Sequence, residues 1–134
     1  MQAEVKWIGE EMFAGISESG HTIVLDANSG ALAPSPLENV LLSLGSCSSV
    51  DVVSILKKAR QQISGCKVKI SATRVDTIPK LFSDIHLHFV ISGTGIQEKH
   101  VERAVSLSAD KYCSVALMLN KSVNITHDYS ITPE

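Results

Sequence analysis

Hydrophobic and polar residues alternate near the start of the chain, and this alternation predicts β-strands there. Within residues 3–26, Val5 and Trp7 alternate with polar neighbours, and the apolar run 22–25 follows a turn-like segment at 17–21. Residues 27–35 contain Gly30 and Pro34 and read as a loop. We therefore expect a hairpin or small meander, followed by a connection to the next element.

The next element is predicted to be a long helix that begins at Ser35. Ser35 suits the N-cap, Pro36 the first helical position, and Glu38 the third position of a capping box. The helix should run to about Gln62, and its apolar residues lie nearly all round it. Such a helix is buried on more than one side, which predicts packing between a sheet and another subunit.

The remainder of the chain alternates strands and helix. Strand patterns cover residues 66–75 and 84–92, and the second places Ile85, Leu87, Phe89 and Ile91 on one face. A second helix is expected over residues 97–120, with a break near Tyr112, and a last strand over 122–131. This order predicts the α+β class with largely antiparallel sheet.

Composition narrows the class of protein. The chain has 134 residues, 44% of them hydrophobic, and a net charge of −2, which predicts one globular domain over residues 1–134. The near-neutral charge and few aromatic residues argue against a nucleic-acid partner. We expect no membrane partner, because the most apolar stretch, 40–56, is interrupted by polar residues. Three cysteines without a recognisable export signal predict the cytoplasm.

Two cysteines lie within apolar helical patterns, Cys47 in the first helix and Cys113 in the second. A free thiol in such a helix usually behaves as a small hydrophobic side chain. Two thiols on separate core helices could instead form a nucleophile and a resolving partner. Cys66, at the start of a strand pattern, reads as core filling.

The residues around these two cysteines resemble a known family. Residues 35–47, SPLENVLLSLGSC, are similar to the cysteine-bearing helix of the OsmC/Ohr family of osmotically inducible and organic hydroperoxide resistance proteins. Residues 110–115, DKYCSV, resemble the second cysteine helix of that family. The resemblance implies antiparallel sheets around two central helices in an intertwined homodimer. Residues 1–30 would be exchanged between protomers, and residues 35–134 would form helix, two strands, helix and strand.

The resemblance also implies an activity. Cys47 would attack a peroxide, Cys113 would resolve the sulfenic acid as a disulfide, and an external dithiol would reduce it. Glu38 is the candidate catalytic carboxylate, and neither a cofactor nor a metal is implied. An alternative from another class is a binding module that holds a small apolar or thiol-reactive ligand at the dimer interface without turnover. A sulfur-carrier role is a third reading.

The chain departs from the family pattern at two positions. Peroxidase members use an arginine from the N-terminal strands, whereas the first arginine here is Arg60. Peroxidase members usually carry their carboxylate directly after the proline, where this chain has Leu37, and Glu38 comes one residue later. On a regular helix Glu38 lies nine residues before Cys47, roughly 13 Å along the axis and on the opposite side. The nearer acid is Asp51, one turn after Cys47. These departures leave the activation of Cys47 without an obvious cation.

One further motif has the spacing of a metal chelate. His86 and His88 form an HxH on one face of a predicted strand. The sequence offers no third ligand nearby, so we expect an exposed strand face and no metal.

Overall fold

The computed structural model describes residues 1–133, which form six strands and three α-helices. In chain order these elements are β1 (Ala3–Gly9), β2 (Met12–Ser17), β3 (Thr22–Asp26), α1 (Pro36–Lys58), β4 (Gln62–Arg74), β5 (Phe82–Thr94), α2 (Glu98–Leu107), α3 (Ser114–Leu119) and β6 (Asn124–Pro133). A π-helical turn, Ser108–Tyr112, separates α2 from α3. The predicted mixed α+β class is confirmed. The chain divides within α1 into two compact units, Met1–Leu42 and the part from Ser43 onward, and the single domain over residues 1–134 stays a prediction.

The first unit contains an antiparallel sheet in the order β1-β2-β3, as the meander pattern predicted. Its register places Trp7 opposite Phe13, which lies opposite Leu25. Residues directly opposite one another share a face, so this face of the sheet is apolar. Trp7 is nevertheless 65% exposed and Val5, on the same face, 66%. Phe13 and Leu25, farther along the same face, are partly buried.

Helix α1 begins as predicted and ends earlier than predicted. At its start, the Ser35 hydroxyl accepts the Glu38 N–H at 3.2 Å, and the Glu38 carboxylate accepts the Ser35 N–H at 2.9 Å. At its end, Arg60 adopts a left-handed conformation (φ 59°), and the Gln61 and Arg60 amides bond back to the carbonyls of the last turn. The expected end at Gln62 is therefore wrong, because this reversal lets β4 begin at that residue.

The second unit contains a sheet in the order β4-β5-β6. Strands β4 and β5 are antiparallel, but β6 runs parallel to β5, so the expectation of antiparallel sheet is wrong for this pair. The segment between β5 and β6 explains this pairing. It contains α2, the π-helical turn and α3, and is long enough to bring the chain back to the end of the sheet where β5 begins, so that β6 can run parallel to β5. The second helical region is thus two helices, and the break expected near Tyr112 is confirmed, at the neighbouring Cys113.

The core of the second unit lies between this sheet and the helices. The inward face of β5 is buried as its alternation predicted, and side chains of α1 and α2 cover it. Gly45 permits α1 to approach β4 closely, because a Cβ at that position would lie 2.7 Å from Ile70 Cδ1. The buried apolar residues of the two helices are Leu44, Val52, Leu56, Val101, Ala104 and Val105.

Helix α1 also has the length and composition of a membrane-crossing helix. It spans 23 residues and contains an 18-residue window with a mean hydropathy of 1.5. Length and composition alone therefore do not exclude a membrane-crossing helix, contrary to what the polar interruptions of the stretch 40–56 led us to expect. Core helices of globular proteins pass the same test. In this structure α1 buries Leu44, Val52 and Leu56 within the chain but leaves Val50 68% exposed.

Candidate thiol site

Cys47 and Cys113 come together within the second unit. Both are free thiols, Cys47 partly exposed on α1 and Cys113 fully buried at the N-cap of α3. The π-helical turn sets the position of Cys113, since the Cys113 N–H bonds to the Ser108 carbonyl at 2.8 Å. The structure therefore brings together the two cysteines that the sequence singled out, although their chemical roles stay predictions.

The sulfur of Cys113 accepts two hydrogen bonds. The Ser48 hydroxyl donates to Cys113 Sγ at 3.3 Å, and the Ala116 N–H donates to it at 3.4 Å. Ser48 follows Cys47 directly in α1 and is itself 2% exposed. Donors that point at a sulfur favour its anionic form, because they lie where the negative charge would develop.

Burial opposes these donors. It is the largest influence on Cys113 and raises the pKa of its thiol above the ordinary cysteine value, while the bonds from Ser48 and Ala116 lower that pKa. The neighbouring Cys47 thiol raises the pKa of Cys113 further. The net effect keeps Cys113 as a thiol at neutral pH, with donors in place for the moment when it ionises.

A second hydroxyl extends this network to an acid. Ser108, the first residue of the π-helical turn, is 1% exposed. Its hydroxyl oxygen lies 3.2 Å from the Ser48 carbonyl oxygen and 3.1 Å from Asp51 Oδ2, so its proton is shared between two acceptors. Asp51 is thus linked to the thiol pair through two buried serines.

Asp51 faces an open cavity of about 520 Å³ in the same unit. Lys58 and Arg103 line this cavity together with Asp51. Both side chains are cationic, but as far as residue 133 neither donates a hydrogen bond to a cysteine of this unit. Lining side chains beyond these three include Ser54, Ile55, Ala59, Leu107 and Tyr112.

Glu38 belongs to the first unit, where its carboxylate closes the capping box with Ser35. The same carboxylate lies against Gly30, where a Cβ would collide with Glu38 Oε1. These contacts give Glu38 a structural role at the start of α1, while its catalytic role stays a prediction.

Cys66 has a different environment from the other two thiols. It lies on the inward face of β4, partly buried, and burial raises the pKa of its thiol while a bond from Ser49 lowers that pKa. The consecutive serines Ser48 and Ser49 therefore form hydrogen bonds with two different cysteines, Cys113 and Cys66. This is compatible with the reading of Cys66 as core filling.

The HxH pair lies on the outward face of the second sheet. Both His86 Nε2 and His88 Nδ1 approach Asp128 Oδ1, at 2.9 and 2.6 Å, while Thr126 and Ser130 engage their other nitrogens. These bonds hold the pKa of Asp128 below its usual range, His88 contributing most. Within residues 1–133, no group of three His, Cys, Asp or Glu side chains has the arrangement of a metal site.

Sequence reasoning missed Ser48, Ser108 and Asp128. The signal for Ser48 was its place directly after Cys47, but a helix position alone does not tell which residue it faces 65 positions later. Ser108 depends on a π-helical turn, and Asp128 depends on parallel strand register. Neither is visible in a local pattern.

The family described as OsmC-like protein matches residues 28–128. The chain belongs to this family. Protein YhfA of Escherichia coli K12 is 54% identical over 131 residues, which cover 98% of both chains. The resemblance drawn from the two cysteine motifs is thereby confirmed.

Solved structures extend the OsmC-like comparison. A hypothetical protein from Aquifex aeolicus is 33% identical, with a TM-score of 0.89 over 99% of this chain and 96% of its own. An organic hydroperoxide resistance protein OsmC from Legionella pneumophila shares the fold at 15% identity, with a TM-score of 0.71 over 96% of this chain and 95% of its own. The fold is therefore shared with proteins named for hydroperoxide resistance.

Proposed function

We propose that this OsmC-like protein is a thiol-dependent reductase of organic hydroperoxides, in which Cys47 is the nucleophile and Cys113 the resolving thiol. The observation that carries the proposal is the meeting of two free thiols in one unit, one partly exposed and the other buried with two donors on its sulfur. The hydroperoxide resistance protein from Legionella pneumophila, with the same fold, supports the substrate class.

The reaction balances with these two sulfurs and an external dithiol. The Cys47 thiolate attacks the outer oxygen of a hydroperoxide, so an S–O bond forms, the O–O bond breaks and the alcohol leaves with a proton. The Cys113 thiolate then attacks the Cys47 sulfur, forming the disulfide and releasing hydroxide, which leaves as water. The dithiol supplies two electrons, restores both thiols and becomes a disulfide itself.

The working form in this proposal is a homodimer in the cytoplasm. Its support is the apolar face of the first sheet, where Val5 and Trp7 are about two-thirds exposed, and the exposed Val50 on α1. Contiguous apolar surface of this kind is typical of protein interfaces. A reducing compartment suits an enzyme whose resting state is two free thiols.

The test is consumption of cumene hydroperoxide with dithiothreitol by the purified protein. Cys47→Ser should reduce the rate to that of dithiothreitol alone, and Cys113→Ser should abolish the intramolecular disulfide seen by mass spectrometry. Cys66→Ser is the matched control and should retain the wild-type rate, since its sulfur faces Ser49 on another side of α1. A wild-type rate no faster than that of Cys47→Ser would rule the reductase out.

A second candidate is a binding module without turnover. It is favoured by one observation, that as far as residue 133 no lysine or arginine of the second unit donates to a cysteine there. A thiol without a cation remains largely protonated and unreactive at neutral pH. Alkylation of Cys47 followed against pH separates the two candidates, because a midpoint no lower than about 8.5, the value of a free cysteine, would favour binding.

A further inference from the structure

The two sulfurs of the candidate site differ in access and in their hydrogen-bond donors. Cys47 is partly exposed, whereas Cys113 is fully buried and receives the Ser48 hydroxyl and the Ala116 amide. In a disulfide between them, the Cys47 sulfur would be accessible, whereas the Cys113 sulfur would be buried beside two hydrogen-bond donors. Thiol–disulfide exchange depends on both properties, namely which sulfur is reached and which one leaves.

We propose that Ser48 is a positioning residue that makes Cys113 the leaving sulfur when the disulfide is reduced, so that the external thiol always attacks Cys47. The inference rests on the proposed function in taking the Cys47–Cys113 disulfide as an intermediate. It goes beyond that function by assigning a direction to the reduction and a residue that sets it.

Reduction would proceed through two successive thiol–disulfide exchanges. A thiolate of the reductant attacks Cys47 Sγ, a new S–S bond forms, and the Cys47–Cys113 bond breaks with its electron pair moving to Cys113 Sγ. The Ser48 O–H and the Ala116 N–H stabilise that charge until a proton from water restores the thiol. The reductant's second thiolate then attacks the reductant's first sulfur, which is bonded to Cys47 Sγ in the mixed disulfide. This attack releases the Cys47 thiolate and forms the disulfide of the reductant.

Ser48 is suited to this role because its hydroxyl counters burial. A leaving thiol with a lower pKa departs faster, and Ser48 is the strongest of the influences that lower the pKa of Cys113. Its turn of α1 is held in place by Ser108, whose hydroxyl lies 3.2 Å from the Ser48 carbonyl oxygen. The titratable groups that face Cys113 are Cys47 and, through Ser108, Asp51.

The experiment compares Ser48→Ala with Ser46→Ala, both in a Cys66→Ser background. Ser46 is the matched control, because its exposed hydroxyl bonds only to the Ser43 carbonyl of its own helix. The disulfide is formed with diamide, so no hydroperoxide turnover is needed, and its reduction by dithiothreitol is followed at several pH values. One hydrogen bond of ordinary net strength predicts reduction about 3- to 10-fold slower in Ser48→Ala and unchanged in Ser46→Ala.

Two further readouts separate positioning from a structural role. In a Cys47→Ser background, Ser48→Ala should move the alkylation profile of Cys113 to higher pH. In the wild-type protein, acid quenching during reduction by glutathione should trap the mixed disulfide on Cys47, as located by peptide mass spectrometry. This last measurement needs no variant at Ser48 and so holds even where Ser48→Ala folds poorly.

The outcomes distinguish this inference from the proposed function. Equal reduction rates for Ser48→Ala and Ser46→Ala, a mixed disulfide on Cys113, or no disulfide after diamide would each overturn the inference. A protein that shows the Ser48 effect but consumes no hydroperoxide would lose the proposed function and retain the directed reduction.

Discussion

The two three-stranded sheets of this chain differ in what covers their apolar faces. In the second sheet, Leu87 and Phe89 of β5 are at most 3% exposed beneath helices of the same unit. In the first sheet, Val5 and Trp7 of β1 are 66% and 65% exposed, and Ile23 of β3 is 48% exposed on the same face. Strands of similar composition thus end in opposite environments.

Within the first unit, the exposed part of this apolar face has no covering element. Three strands with an apolar face gain stability only when another element covers that face. The second sheet is covered by α2 and by the part of α1 from Ser43 onward, which belong to its own unit. We propose that a second copy of the chain covers the apolar face of the first sheet.

The largest effect is expected from Phe89→Ala in the second sheet. Removing this fully buried ring should lower the free energy of unfolding by about 3–5 kcal/mol, independently of protein concentration. Trp7→Ala in the first sheet should instead cause a loss of unfolding free energy that becomes smaller as the protein concentration rises, because mass action favours the associated form. Chemical unfolding at two protein concentrations measures both. A concentration-independent loss for Trp7→Ala would contradict the contrast.

The next effect concerns association itself. Val5→Lys places a charge on the exposed apolar face and should convert a dimer into a monomer, since an uncompensated charge at a buried interface costs several kcal/mol. Lys6→Gln on the opposite face of β1 is the control and should leave the mass unchanged. Light scattering coupled to size exclusion reads the result. A wild-type protein that is monomeric at micromolar concentration would end the proposal of a second copy.

Much of the fold could be predicted from the sequence because its signals are local. The alternation in β5 fixed the buried face, and the capping box fixed the start of α1 at Ser35 and Pro36. What could not be predicted depends on distant partners. The parallel pairing of β6 with β5 follows from the crossover through α2 and α3, and the early end of α1 follows from the left-handed Arg60.

The candidate site divides in the same way. Cys47 and Cys113 could be singled out because each lies in a motif that resembles a family pattern. Ser48 and Ser108 could not, because their partners depend on how α1 meets a π-helical turn about 60 residues later. The role of Glu38 in the capping box could be predicted from Ser35, Pro36 and Glu38 within four consecutive positions, whereas its catalytic role stays a prediction.

A smaller effect is expected at a glycine in each sheet. At Gly93 of β5, a Cβ would collide with the Gln62 carbonyl oxygen and lie 2.9 Å from Ile63 Cα. Because these are backbone atoms, which cannot move aside as a flexible side chain can, Gly93→Ala should lower the free energy of unfolding by about 1–3 kcal/mol. At Gly15 of β2, the nearest atom to a Cβ is Ile23 Cγ1 at 3.4 Å, and Gly15→Ala should be neutral. Thermal unfolding compares the two, and equal losses would show that the packing contrast does not extend to the backbone.

The smallest effect is expected on the outward face of the second sheet, at Asp128. Bonds from His88 and His86 lower the pKa of this exposed carboxyl. A carboxyl whose pKa is lower in the folded state adds stability above its unfolded pKa, about 3.9, and this stability is lost as pH falls through the folded value. Asp128→Asn should therefore unfold slightly more easily than wild type at pH 7, and the difference should shrink as pH falls below about 4 toward the lower folded pKa. Urea unfolding across this range measures it, with Glu4→Gln of the first sheet as the control. A difference that persists undiminished at pH 3 would mean that Asp128 acts by packing rather than by its charge.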